Sequence, residues 1–136
     1  MVFGEGWCVK GDKKKEKKML LSYRDLNVWQ NAMNLVEDVY KITANFPKEE
    51  KYGLISQIRR CSVSIPSNIS EGFMRKSTKE YIQFIYISLG SLGELDTQME
   101  IAVRLKFMES QKEFNEKLLL IRKQLYGLVK SLKTRL

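Results

Sequence analysis

From residue 23 onward the apolar positions of the chain recur every three or four residues, the spacing of one face of an α-helix. The pattern predicts four helices. The first runs from Tyr23 or Asp25 to about Asn45, with Leu26, Trp29, Met33, Val36 and Tyr40 on its apolar face. Val28, Ala32, Leu35, Val39 and Ile42 widen that face. Ser22 or Asp25 is placed to cap its start, and Pro47 ends it, because the residue before a proline avoids the α region. The second begins near Lys48, with Glu49 and Glu50 complementing its positive end, and continues through Leu54, Ile58, Cys61, Ile65, Ile69 and Phe73. Its periodicity survives across Pro66, which predicts one continuous helix kinked where the proline cannot bond the Ser62 carbonyl.

The third helix opens on a capping box, Ser77-Thr78-Lys79-Glu80, and extends to about Lys106. A second box, Ser110-Gln111-Lys112-Glu113, opens the fourth, whose seam is Phe114, Leu118, Ile121, Leu125, Leu128 and Leu132. All three links are short, and short links make consecutive helices antiparallel neighbours. The expected fold is all-α, an up-down-up-down antiparallel four-helix bundle spanning residues 19–136.

Helix three is apolar nearly all round. One face carries Tyr81, Phe84 and Ser88, another Ile82, Tyr86 and Leu89. Two such faces are not expected to share one core, so Tyr81, Ile82, Phe84, Tyr86 and Leu89 are candidate contacts to a second copy of the chain. Gly90 and Gly93 would let a neighbouring backbone come close. The competing reading makes helix three simply the most central helix of one bundle.

Composition narrows the chemistry. The 136 residues hold 24 lysines and arginines against 16 acids, a net charge of +8. There is no histidine, which removes Ser-His-Asp and Cys-His catalysis and histidine metal ligation. Cys8 and Cys61 are too few for a four-cysteine zinc site, and a cytoplasmic, reducing location is the default for such a chain. No window approaches 18 uninterrupted apolar residues, so no membrane association is expected. Residues 1–18 carry six lysines and no periodicity; they read as a flexible basic arm, with Met19 as a second candidate start. Beyond them 18 basic and 13 acidic residues leave the body at +5.

A polar stripe accompanies the second helix: Gln57, Arg60, Ser64, Asn68, Glu71 and Arg75 follow one another by three or four residues. Three readings compete. The stripe is a solvated face, a hydrogen-bonded network between helices or subunits, or part of a nucleic-acid surface. The last reading uses Arg59, Arg60, Arg75, Lys76 and Lys79 on phosphates. Glu71 in the middle of the stripe opposes it. No aromatic platform for bases is visible outside the expected core. Catalysis has little support: Glu49–Glu50 and Glu94–Asp96 do not form a proton-sharing pair, and Cys61 on an apolar stripe reads as a small core residue. The chain is expected to be no enzyme, with no cofactor and no metal.

Several runs resemble a known family. They are Leu26-x-Val28-Trp29-Gln30-x-Ala32, Phe46-Pro47-Lys48-x-Glu50-x-Tyr52-Gly53-Leu54 and Ser56-Gln57-Ile58-Arg59-Arg60. The most specific is Ser62-Val63-Ser64-Ile65-Pro66-Ser67-Asn68-Ile69-Ser70-Glu71-Gly72-Phe73, followed by Arg75; Leu89-Gly90-Ser91-Leu92-x-Glu94-Leu95 completes the set. The chain resembles, over about residues 22–132, the four-helix-bundle proteins encoded within intervening sequences of bacterial 23S ribosomal RNA genes. That family usually has alanine where Cys61 stands, and the lysine-rich arm lies outside its pattern. The resemblance implies a ring-like homopentamer. It also implies a distant architectural likeness to accessory proteins of diversity-generating retroelements, which bind nucleic acid and a reverse transcriptase. The expected function is therefore a basic homo-oligomeric bundle binding structured RNA or DNA. The alternative is an assembly adapter that recognises a protein partner and touches no nucleic acid.

Overall fold

The computed structural model describes residues 21–136. The N-terminal arm lies outside the described residues. Four helices follow one another: α1 Asn27–Thr43, α2 Leu54–Phe73, α3 Thr78–Arg104 and α4 Lys112–Lys133. No strand occurs among the described residues. Each helix packs on its neighbours in chain order, and α4 returns to α1. Cross-helix contacts run in opposite chain directions. On α1 and α4, Asn31 meets Gln124 while Asp38 meets Lys117; on α2 and α3, Cys61 meets Ser91 while Ile65 meets Ser88.

The helix starts differ from the sequence reading in three places. The Ser22 hydroxyl accepts from the Arg24 N–H, so it caps a 3-10 turn over Tyr23–Asp25, and α1 begins afterwards at Asn27. After Pro47 the chain makes only another 3-10 turn, Lys48–Glu50. Gly53 then leaves the helical region (φ −108°, ψ −110°), and α2 starts at Leu54, whose N–H is taken by the Glu50 carboxylate at 3.2 Å. The second capping box does not form. Helix α4 starts one residue too late for Ser110 to sit at the cap, and that hydroxyl accepts from the Asn115 side chain instead. The Ser77 hydroxyl does cap α3, accepting from the Glu80 N–H at 3.3 Å.

The core faces are rotated slightly from expectation. In α1 the buried set is Val28, Trp29, Ala32, Leu35, Val39 and Thr43, while Met33 and Tyr40 lie at the surface. In α4 Val129 takes the place assigned to Leu128. In α4 a straight helix drifts ahead of a strict heptad, so the inward position moves one residue later along its length; in α1 the core lies on the flank of Ala32, Leu35 and Val39 that the sequence reading gave as the edge of the face. At the base of α1 the rings of Tyr23, Trp29, Phe73 and Tyr81 form a chain of tilted and edge-on contacts 5.4–6.3 Å apart, linking the start of the described chain to the α2–α3 turn.

The most extensive pairing, α2 with α3, is a seam of small residues. Helix α2 is unbroken across Pro66, whose ring is buried. The Ser88 hydroxyl donates to the Ile65 carbonyl at 2.9 Å, and the Cys61 thiol donates to the Ser91 carbonyl at 2.9 Å. Ser64 and Ser91 hydroxyls bond at 2.6 Å. Gly72 lets α3 come so close that an added Cβ would lie 2.8 Å from the Phe84 Cβ. Helix α3 thus serves two neighbours at once. Its Tyr81, Phe84 and Ser88 side faces α2, and its Leu89 and Leu92 side lines a groove against α4. Tyr81 and Ile82 are buried within the single chain and Phe84 and Leu89 are half-buried, which leaves Tyr86 as the one open member of the expected oligomer contacts. The reason is that a central helix can bury two faces between two partners.

Helix α3 ends in a Schellman turn: Phe107 N–H bonds the Ala102 carbonyl and Lys106 N–H the Val103 carbonyl, with Lys106 at φ 65°. A non-glycine residue in that left-handed region costs about 1 kcal/mol. Lys106→Gly is expected to raise stability by about 1 kcal/mol in urea melts, and no gain would contradict the turn.

Candidate nucleic-acid interface

The structure separates the five proposed phosphate contacts. Arg59 is occupied. Its Nε donates to the Thr43 hydroxyl at 2.8 Å, its Nη2 donates to the Tyr40 carbonyl at 3.3 Å, and its guanidinium lies 4.4 Å from the Tyr40 ring centroid. It therefore satisfies the carbonyl end of α1, where a cation also suits the helix dipole. Buried Thr43, which sequence reasoning missed, completes this clamp by donating to the Val39 carbonyl. Its signal was its position four residues after Val39. Arg59→Lys keeps the charge but loses the fork and the stacking. A loss of about 1–2 kcal/mol in urea melts is expected; unchanged stability would show that the clamp contributes nothing.

Arg75 is also engaged, pairing with Glu71 at 3.0 Å and lying 4.8 Å from the Phe84 ring centroid. Arg60, Lys76 and Lys79 are exposed and form no ion pair among the described residues.

The polar stripe divides in the same way. Ser64 bonds Ser91 across to α3 and so belongs to the α2–α3 seam, while the half-buried Asn68 donates its amide to the Ser64 carbonyl at 2.7 Å within α2. Gln57, Arg60, Glu71 and Arg75 face solvent. The Ser-Ile-Pro-x-Asn-Ile-x-Glu-Gly run is thus chiefly a packing signature. Ser64 and Gly72 permit close approach, and Ile65 and Ile69 fill the core.

Nucleophilic chemistry at Cys61 is opposed by its surroundings. Burial, and then the nearby Glu94 carboxylate, push its thiol up to about 12, so it is a thiol and not a thiolate at neutral pH. Gln98 donates to the same Glu94 at 3.3 Å, while its own Oε1 is buried with no partner among the described residues. No group of three metal-ligating side chains occurs among the described residues. None of the described helices is long and apolar enough to cross a membrane.

Two exposed tyrosines stand on the neighbouring helices α3 and α4, where the sequence reading saw no platform for bases. Tyr86 on α3 is 44% exposed and Tyr126 on α4 is 55% exposed. The second of them lines a groove of about 390 Å³ between those helices, together with Leu89, Gly93, Asp96, Leu119 and Arg122. The signal for Tyr126 was its absence from the apolar seam of α4.

A right-sized bundle with a tight α2–α3 seam and a basic surface defines the class. The profile of the family described as 23S rRNA-intervening sequence protein matches residues 24–127, and the chain belongs to that family. A crystal structure of a protein of unknown function from the S23 ribosomal protein family of Bacteroides thetaiotaomicron VPI-5482 is similar in fold, with a TM-score of 0.68 at 21% identity. The match covers 76% of this chain and 95% of that one. No curated protein matches the chain.

Proposed function

We propose that the protein is a non-enzymatic, self-associating bundle that holds structured RNA or DNA through phosphate contacts in the cytoplasm. The observation that carries this reading is that exposed cations, among them Arg60, Lys76 and Lys79, have no carboxylate partner among the described residues, on a body with 18 basic and 13 acidic residues. Membership of a family described by its place in 23S rRNA genes agrees with an RNA partner. Self-association, in the ring of five that the family resemblance implies, is supported by exposed Val63 and Ile87 on the outer side of α2 and α3. Gly90 lies beside Ile87, and an added Cβ there would meet nothing within 4 Å.

The test is a gel-shift titration with 23S rRNA fragments between 50 and 200 mM salt, run alongside light scattering. Phosphate binding predicts an affinity falling steeply with salt, with each lost contact lowering the slope by about one. Absence of binding at low salt would defeat the nucleic-acid reading, and a stable monomer at micromolar concentration would defeat self-association. Recovery of one protein in a pull-down after nuclease treatment, with no shift of RNA, would establish the adapter in its place.

A further inference from the structure

The body's positive charge is not spread over the bundle. Residues 117–136 hold Lys117, Arg122, Lys123, Lys130, Lys133 and Arg135 and no acid, whereas residues 19–116 hold 12 basic and 13 acidic residues. The whole surplus therefore belongs to α4 from Lys117 onward and the residues after it. Lys117 is neutralised by Asp38 across the α1–α4 contact. Arg122, Lys123, Lys130, Lys133 and Arg135 remain, all exposed and with no carboxylate within ion-pair distance among the described residues.

The same surface carries two of the four exposed tyrosines among the described residues, Tyr86 and Tyr126; Tyr40 lies on α1 and Tyr52 in the link before α2. Along α4, Arg122, Tyr126, Lys130 and Lys133 step by three or four residues and share one face. On α3, Tyr86 lies under Lys133, whose Nζ is 6.0 Å from the ring centroid. Between the helices runs the groove lined by Leu89, Gly93, Arg122 and Tyr126. Its one carboxylate, Asp96, sits at the end nearest the start of α4, away from Lys130 and Lys133. Gly93 and Gly127 add no side chain to this face, and a Cβ at either would meet nothing within 4 Å among the described residues.

Cations alone would accept any polyanion. Cations interleaved with exposed aromatic faces fit a strand whose bases are free to stack, because a duplex keeps its base faces covered while a single strand offers them. We propose that the α3–α4 face binds an unpaired stretch of polynucleotide. Arg122, Lys123, Lys130 and Lys133 contact its phosphates, and Tyr126 and Tyr86 stack its bases. This rests on the nucleic-acid reading above and moves its principal surface from the α2–α3 end to α4.

The experiment is fluorescence anisotropy of labelled 15-nucleotide oligo(U), oligo(dT) and a 15-base-pair duplex with the full chain, from 50 to 200 mM salt. Either strand is expected to bind at least tenfold tighter than the duplex. The two strands separate an RNA source from a DNA source. Arg122→Gln with Lys123→Gln and Lys130→Gln should weaken strand binding by tenfold or more at 50 mM salt and flatten the salt slope by about 2, at roughly 0.7 per phosphate. Tyr126→Ala should weaken it about tenfold with the slope unchanged, and Tyr126→Phe should restore it. All four positions are solvent-facing, and circular dichroism melts of each variant check the fold. Full binding by the α4 variants, with loss only in Arg60→Gln, Lys76→Gln, Lys79→Gln, would overturn this inference and leave the proposed function standing. No strand or duplex binding by the unmodified chain would overturn both. Displacement of the strand by poly-glutamate of equal charge as readily as by unlabelled oligo(U) would assign the face to an acidic protein instead.

Discussion

Gly72→Ala is expected to destabilise the bundle by about 2–3 kcal/mol, the upper end of what one extra methyl costs in a filled interior. The new Cβ would lie 2.8 Å from the Phe84 Cβ, 3.0 Å from the Tyr81 Cδ1 and 3.2 Å from the Tyr81 carbonyl oxygen. Two of these atoms are the root of a side chain and the backbone itself. Neither can swing away, so α2 and α3 must move apart. That movement would also loosen the Ser88–Ile65 and Cys61–Ser91 hydrogen bonds further along the seam. Gly127→Ala is the matched control. It meets nothing within 4 Å, and alanine is the better helix former, so it should gain about 0.5–1 kcal/mol. Urea denaturation of the two variants measures both. Equal effects would show that α2 and α3 are not in close contact at Gly72.

Stability should be level through neutral pH and fall steeply above about pH 9. Burial pushes the Tyr81 hydroxyl well above its usual range, and burial with Glu94 pushes the Cys61 thiol from 9.0 up to about 12. Both groups are neutral in the fold and ionise earlier in the unfolded chain. Above the unfolded values the unfolded chain binds fewer protons than the folded one, so the unfolding free energy decreases as pH rises. The contribution is fully present below pH 9 and is lost as pH climbs toward the folded values. Urea melts followed by circular dichroism from pH 7 to 11 give the curve. Cys61→Ala should flatten its first part and Tyr81→Phe the part above pH 10. A curve unaltered by either substitution would contradict the burial of these groups as neutral species.

The four helices were legible because apolar residues at three- and four-residue spacing leave a chain few ways to cover them. The Ser77 cap, the continuity of α2 through Pro66 and the core residues Ile58, Ile65, Leu118 and Leu125 were all visible in that pattern. The Ser110 box failed because the motif specifies residue types but not which residue begins the helix. The partners of Arg59 and Arg75 were not legible for a related reason. An arginine fork serves a helix end, a ring face or a phosphate equally well, and only the fold shows that the Thr43 hydroxyl, the Tyr40 carbonyl and the Phe84 ring claimed these two. Tyr86 was read as a contact to a second copy and Tyr126 was left outside the seam of α4; that both reach solvent in one chain comes from how α3 and α4 are turned against their neighbours.

The sequence by itself determined the number of helices, the apolar faces they must cover and the excess of cations near the chain's end, since spacing and charge are properties of the chain before it folds. Tertiary structure decided which cations stay free, which aromatics reach solvent, and that α3 fills two interfaces of a single bundle. Those outcomes depend on the rotation of each helix about its axis and on the identity of the group lying opposite, and both are fixed only when distant segments pack together.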